Sequence, residues 1–541
     1  MRVLRAQIAV ALLLLASSPL TADAPVPEGA ELEASGARIG KVLISRKNIF
    51  DPSDPHESYW PYRFANKLHV VTREDVIRRE LLFREGDLYR QAIIEESERN
   101  LRALGVIYHV HIRPVDYHDG LVDLEVTSQD TWTLRPSVRF SRAGGDNATG
   151  FSFSEQNFLG RLKLFQISRR SNVDRTTTQL LYSDPRFFGS RYAFKSSYAR
   201  SSDGTSWGLS FERPFFSLDT PWNMGAGGGK LEQVSKIYQD GDVVFEFHQE
   251  TDSFNVSYGI STGLVGSHVV RSTFGYSYLR NVFFQEPDQE GFGLQAVPPD
   301  QKFSGPVFTL ESLSAHYVKV RNYNQFDRDE DYNLGHDMNL SLWLSLKDFE
   351  ADKSQVIVNL GDSVGIPVST QANLFQSFLL SGRLGSGDAE NVIVTEVLES
   401  YCRFTPRQTF YARLGIDVGY NLDPQNQLLL GGDNGLRGYP TRQFDGDRRL
   451  LLSLEHRFFS DLEIFRLVRL GFAGFADVGD AWYQGGESLS DLHSDFGLGL
   501  RFAVVRSSVA TVSRLDLAYS VDAEQTDSPR FQVLFGTALR F

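Results

Sequence analysis

Gly431-Gly432-Asp433-Asn434-Gly435-Leu436-Arg437-Gly438-Tyr439-Pro440 lies between two long runs of strand-like sequence. The stretch holds four glycines, one proline and a single cation, Arg437, flanked by Leu436 and Gly438. Glycine tolerates positive φ and close backbone approach, so these residues read as a tightly folded loop that fixes one arginine in place.

Outward from this loop the chain alternates with a period of two. Five strand-like segments follow it, at roughly 450–458, 468–478, 496–504, 513–519 and 531–541. In the last, Phe531, Val533, Phe535, Thr537, Leu539 and Phe541 share one face, and Gln532, Gly536, Ala538 and Arg540 the other. Upstream, Phe410, Ala412, Leu414, Ile416, Val418 and Tyr420 alternate with Thr409, Arg413, Asp417 and Asn421. Leu340, Leu342, Leu344 and Leu346 repeat the pattern, with Trp343 on their polar face. A membrane strand shows lipid one face and a lumen the other, so residues 131–541 predict a transmembrane antiparallel β-barrel. If the chain end is periplasmic, the turns at about 459–467 and 505–512 are inner, and the loop at 422–449 is outer, with 479–495 and 520–530. Parity then aims two acids. Leu450, Leu452, Leu454 and Phe458 face lipid, so Glu455 faces the lumen; Val468, Leu470 and Phe472 face lipid, so Asp477 does too. One guanidinium offers enough planar donors to be clamped by two carboxylates, so Arg437 is expected to pair with Asp477 and Glu455.

Leu436-Arg437-Gly438-Tyr439 and Gly474-Phe475-Ala476-Asp477-Val478-Gly479-Asp480-Ala481-Trp482 resemble the two signatures of the BamA/TamA superfamily of outer-membrane insertion and translocation barrels. Asp130-Thr131-Trp132-Thr133-Leu134, Glu155-Gln156-Asn157-Phe158-Leu159-Gly160 and Tyr182-Ser183-Asp184-Pro185 resemble the early strands and turns of such barrels. The resemblance implies a loop 422–449 folded into the lumen, about 16 strands, and a weak seam where the strands near 132–141 and 531–541 meet. The terminal aromatic Phe541, on the face it shares with Leu539 and Phe535, resembles an outer-membrane insertion signal.

The N-terminal part differs in kind. Arg2 and Arg5 precede the apolar run Ile8–Ala16 and then small residues, the form of a secretory signal peptide over 1–24. No Cys follows it, so no lipid anchor is suggested. Residues 25–37 read as a flexible lead. Over 38–130 the order is β-α-α-β-β: a strand at 40–45, an aromatic insertion at 46–71, a helix capped by Thr72, a helix from about Tyr89 to Leu104, and strands at 106–112 and 122–126. This order, with Glu98-Arg99-Asn100-Leu101-Arg102-Ala103-Leu104, resembles a POTRA domain, which binds unfolded clients or partner proteins at a sheet edge. The aromatic insertion (Tyr59, Trp60, Tyr62, Phe64) is expected to pack on the module or the barrel mouth, with client contact as the alternative.

Composition limits the remaining choices. The 541 residues carry a net charge of −13, which argues against nucleic acid as a partner. Mean hydropathy is −0.26, and no run of about 18 apolar residues would cross as a helix. Cys402 is the single cysteine, so no internal disulfide forms. Gly361-Asp362-Ser363-Val364-Gly365 matches a nucleophile elbow by spacing but lacks the helix that should follow. Gly225-Ala226-Gly227-Gly228-Gly229-Lys230 misses the hydroxyl residue of a phosphate loop, and the histidines have no zinc spacing. The expectation is therefore a non-enzymatic mainly-β protein with no cofactor or metal. It would sit in the outer-membrane bilayer with its POTRA-like domain in the periplasm. It would insert or translocate unfolded or nascent outer-membrane or secreted proteins, as an accessory or specialised member. A periplasmic partner could meet the POTRA-like domain. A dedicated two-partner-type secretion pore and a passive porin or structural barrel are the alternatives.

Overall fold

The computed structural model describes residues 26–285, 297–326, 328–465, 467–485, 491–504, 506–507, 512–524, 526 and 529–538. The signal peptide expected over 1–24, and Leu539 and Phe541, lie outside the described residues.

The N-terminal module opens with helix α1 (Gly29–Ala34) and strand β1 (Arg38–Lys47). Helices α2 (Trp60–Leu68), α3 (Glu74–Glu80) and α4 (Gln91–Ala103) follow, then strands β2 (Ile107–His118) and β3 (Leu121–Asp130). The sheet order is β1-β3-β2, with β3 parallel to β1 and antiparallel to β2. Ile77, Ile94 and Leu101 from the helices meet Ile39, Val122, Leu124 and Val126 from the sheet in one core. Two expectations fail here. Residues 25–37 are not a plain lead, because α1 buries Leu32 in that core; six residues are too few for a helical period to be read. Thr72 does not cap α3, whose N-cap is Arg73 without a side-chain bond. Instead the Thr72 amide (2.7 Å) and hydroxyl (2.8 Å) both donate to Asp130, which also meets His69 at 3.0 Å. The same hydroxyl accepts the Asn157 side-chain amide at 2.8 Å, so it is turned toward the barrel and not toward the helix end.

Beyond Asp130 the chain builds a closed antiparallel barrel. It begins at Leu134–Ala143 and ends at Phe531–Ala538, and each strand pairs with its chain neighbours in the wall. Among the described residues it has 20 strands, not the roughly 16 expected. That number came from the resemblance and not from a count of period-two segments. The excess includes the region around 235–305, where strands and loop hairpins look alike in sequence. Trp222–Gln239, Asp242–Ser261 and His268–Gln285 are all wall strands of 18, 20 and 18 residues. About ten residues cross a bilayer, so these run past it as paired ribbons. The even count returns the last strand to the side on which the first began.

The module is fastened to one mouth of the barrel. The Glu80 carboxylate takes Arg186 and Arg191 from the turn between the fourth and fifth barrel strands. The Leu218 amide donates to Glu96 at 2.8 Å, and Asn157 donates to the Thr72 hydroxyl at 2.8 Å. Arg102 makes a two-pronged bond to Asp331 at 2.9 and 2.8 Å. Every turn in these contacts lies on the same side, which is the periplasmic one.

Asp130→Ala removes one acceptor from three buried donors, at a cost of about 1–3 kcal/mol. Limited proteolysis of the full chain should show faster cleavage at residues 68–73 than in wild type.

Candidate functional site

The outer connection 421–447 folds back into the lumen. Leu428–Leu430 pairs with Phe444–Gly446 as a two-stranded ribbon, with Leu430 opposite Phe444. Asn434 closes the tip by accepting the Gly431 amide at 2.8 Å, and the Leu436 amide returns to the Gly431 carbonyl at 3.0 Å. None of the four glycines here takes a positive φ; they are needed for close approach. A Cβ at Gly438 would stand 2.6 Å from Cβ of Asp495, and one at Gly432 would stand 2.6 Å from the Gly144 backbone. Leu430, Leu436, Tyr439, Leu451 and Ala481 form a small apolar core that holds the ribbon to the wall.

This anchoring delivers Arg437 to the acids. Its Nε donates to Asp477 Oδ2 at 2.7 Å, Nη2 to Asp477 Oδ1 at 3.0 Å, and Nη1 to Glu455 Oε2 at 3.0 Å. The guanidinium lies 3.5 Å from the centroid of the Phe475 ring. The Arg437 side chain is 8% exposed and that of Asp477 is 0% exposed. The structure thus brings together Leu436, Arg437, Gly438 and Tyr439 with Asp477 and Glu455. Gly438 donates its amide to Asp495 at 2.9 Å. The Tyr439 hydroxyl accepts the Ser494 amide at 3.1 Å and donates to Asp522. Phe535 is elsewhere, on the last strand, opposite Arg142 of the first.

Sequence reading missed the rest of the cluster. Arg501 bonds Asp516 and reaches Glu455 at 3.4 Å, and Asp516 lies 3.8 Å from Arg437. Arg457 donates to Glu455 at 2.9 Å. Three guanidinium groups therefore share Glu455, Asp477 and Asp516. The signal was available, because Arg457 has the parity of Glu455, and Arg501 that of the glycines Gly497 and Gly499.

The cluster continues toward the periplasm. Arg457 also donates to the Tyr323 carbonyl at 2.8 Å and to Asn324 Oδ1 at 2.9 Å. Both belong to the inner connection 315–335, which enters the lumen from below. Asn324 donates to the Tyr401 hydroxyl at 3.0 Å, the Tyr323 ring stacks on Tyr401 at 4.7 Å, and Phe326 packs on Phe459 at 4.9 Å. Asp331 of the same connection is the residue held by Arg102 of α4. One chain of contacts so runs from the N-terminal module to the outer loop.

The outer loop also crosses the line where the first and last strands meet. The Thr441 amide donates to the Gly144 carbonyl at 3.0 Å and its hydroxyl to the Ala143 carbonyl at 2.9 Å. Arg442 bonds Asp174 with two prongs of 2.8 Å. The loop grips strands on both flanks of that line. Ser363, the candidate nucleophile, sits inside the wall strand Gln355–Ser369, paired with Asp337 and Ser377 on its two sides, not at a strand-to-helix turn.

Comparison with known proteins matches the N-terminal module. The POTRA family model, described as "Surface antigen variable number repeat", matches residues 64–128. The outer membrane protein assembly factor BamA of Neorickettsia risticii is 33% identical over 91 residues, which is 16% of this chain and 12% of that protein. The match thus spans about an eighth of that relative's length. Two solved barrels align at low identity. BamA of Haemophilus ducreyi lacking POTRA domains 1–3 has a TM-score of 0.39 at 13% identity, covering 92% of this chain and 85% of that one. CdiB of Acinetobacter baumannii has a TM-score of 0.47 at 11% identity, covering 93% and 74%. A POTRA module feeding a closed antiparallel barrel defines a POTRA-barrel protein of the outer membrane, with the module in the periplasm. In its POTRA module the chain is similar to the matched family over residues 64–128.

Arg437→Ala leaves Asp477 buried without its cation and takes one of three from Glu455, a loss of about 3–5 kcal/mol. It should lower the unfolding temperature of the barrel on heat-modifiability gels, and Arg437→Lys should recover only part, because an ammonium lacks the fork. The Arg442 guanidinium holds the Asp174 carboxyl at about 2, against the upward pull of burial, with the Tyr238 hydroxyl assisting. A depressed acid stabilises above its ordinary value of 3.8, and that contribution fades as pH falls through about 2. Proteolysis within 421–447 should speed up in that acid window, and Asp174→Asn should produce the same faster cleavage at pH 7.

Proposed function

We propose that this protein inserts or translocates β-rich clients at the outer membrane, with the junction of the first and last strands as the working edge. The observation that carries this reading is the thinness of that junction. Among the described residues, Leu134–Ala143 and Phe531–Ala538 share one register pair, Phe535 with Arg142. On its other side the last strand holds eight pairs, from Tyr519–Phe531 to Val512–Ala538. A strand edge that is poorly satisfied is a template for another strand. The barrel can therefore exchange the pairing at this junction for pairing with a client strand, at little cost in hydrogen bonds.

The lumen supports the same choice. Loop 421–447 fills it from outside and connection 315–335 from the periplasm, both tied by buried ions. A passive porin needs an open lumen, so that alternative fits less well. A secretion pore for one partner would have to withdraw both connections. The edge strand β2 of the POTRA sheet offers a docking line for an extended client segment. The accessory or specialised role remains part of the proposal.

Antiparallel partners in register stand about 4.5–5.5 Å apart at Cα, within reach of a disulfide. Arg142→Cys with Phe535→Cys, in a Cys402→Ser background, should close the junction under oxidation. Outer-membrane client levels in cells relying on this variant should fall when it is oxidised and recover with reductant. Unchanged levels with the crosslink complete would refute the lateral edge.

A further inference from the structure

Helix α2 is built inside out. Trp60, Phe64 and Leu68 recur at i, i+4 and i+8, which places them on one stripe. They are 77%, 55% and 49% exposed. The packed face carries Tyr62, Ala65 and Asn66 instead. Asn66 accepts the Phe50 amide at 3.1 Å and donates to the Phe50 carbonyl at 2.8 Å, while the Tyr62 ring lies 4.7 Å from that of Phe50. A helix on a water-surrounded domain turns its apolar stripe inward. This one turns it out, and it spends ordered contacts to hold it there.

Its place explains what the stripe meets. The Tyr62 hydroxyl donates at 2.9 Å to the carbonyl of Phe465, in the periplasmic turn between Arg448–Ile464 and Val468–Trp482. Phe465 is 79% exposed, and Leu462 and Ile464 just above it are exposed as well, on the parity of the lipid-facing Phe458 and Phe472. A second rim turn fixes the same segment, since Arg506 donates to the Ile49 carbonyl at 3.0 Å and to Glu57 at 2.8 Å. The apolar belt of the wall thus continues through Phe465 to the helix. Arg63 and Lys67 stand exposed, each one position before an apolar stripe residue.

We propose that Trp60, Phe64 and Leu68 seat in the phospholipid leaflet that faces the periplasm, beside the barrel rim, with Arg63 and Lys67 against anionic headgroups. Helix α2 then lies in the interface plane as a membrane foot of the module. The occupant is lipid because the stripe is continuous with a surface that already meets lipid, and because its flanking charges are cationic, the sign that anionic headgroups attract.

The test uses the full chain in a Cys402→Ser background, with bimane attached at Trp60→Cys, Phe64→Cys or, as a control on the β2–β3 hairpin, Tyr117→Cys. Each is reconstituted in phosphatidylethanolamine/phosphatidylglycerol vesicles, and heat-modifiability confirms a folded barrel. Brominated lipid should quench the labels at 60 and 64 several-fold more than the label at 117, and aqueous iodide should show the reverse order. Arg63→Glu with Lys67→Glu should reduce the lipid quenching at 60 while leaving the barrel folded. Equal iodide access at 60, 64 and 117 would overturn the proposal. So would shielding at 60 and 64 that appears only when a soluble protein is added, which would assign the stripe to a protein partner.

Discussion

A guanidinium removed from water and held by three-sided acid contact is the constraint on which this barrel depends. Arg437 loses its hydration when loop 421–447 folds inward, and that loss is large for any buried charge. It is offset only if the carboxylates stand where the planar fork can use them. Asp477 supplies two oxygens, Glu455 a third, and Phe475 a ring face. Four adjacent wall strands must keep register for this to hold, because Glu455, Asp477, Asp495 and Asp516 come from consecutive ones. The loop in turn keeps the strands in register.

From that point two lines of contact diverge. One passes through Glu455, Arg457 and Asn324 to the inner connection, then through Asp331 to Arg102 of the periplasmic module. The other passes through Thr441 to Gly144 at the top of the first hairpin. The cluster therefore joins three things: the N-terminal module, the connections that fill the lumen, and the thin junction of the wall. Buried ion pairs are poor sources of net stability but impose a single geometry strongly. That suits the proposed exchange at the junction, which requires a wall that stays shut at rest.

The sequence carried the inward aim of Asp477 and Glu455, because a period of two leaves no third option for a residue on a lipid-facing strand. It carried α4 for the same kind of reason, since Ile93, Ile94, Leu101 and Leu104 repeat at helical spacing, but the β-α-α-β-β order expected of the module lacked α1 and α2, which are too short to show a period. What it did not carry were features set by partners far away in the chain. Connection 315–335 enters the lumen because Tyr401 and Arg457 wait for it there, and nothing in its own polar composition says so. Gly225–Gly229, rejected above as a phosphate loop, is wall strand, and glycine fits at Gly228 and Gly229 because the Ser253 and Trp207 carbonyls crowd the backbone there. The strand number was beyond local reading too, since wall strands and long ribbons share one pattern.

The most direct measurement is a double-mutant cycle on Arg437 and Asp477, read by equilibrium unfolding of the full chain in detergent. Arg437→Ala, Asp477→Ala and the double variant should be strongly non-additive, with a coupling of about 1–3 kcal/mol, because either single change breaks the same two-pronged bond, and the carboxylate that Arg437→Ala strands is removed in the double change. Additivity within about 0.5 kcal/mol would mean that the two groups act independently, and the clamp would not be what organises this barrel.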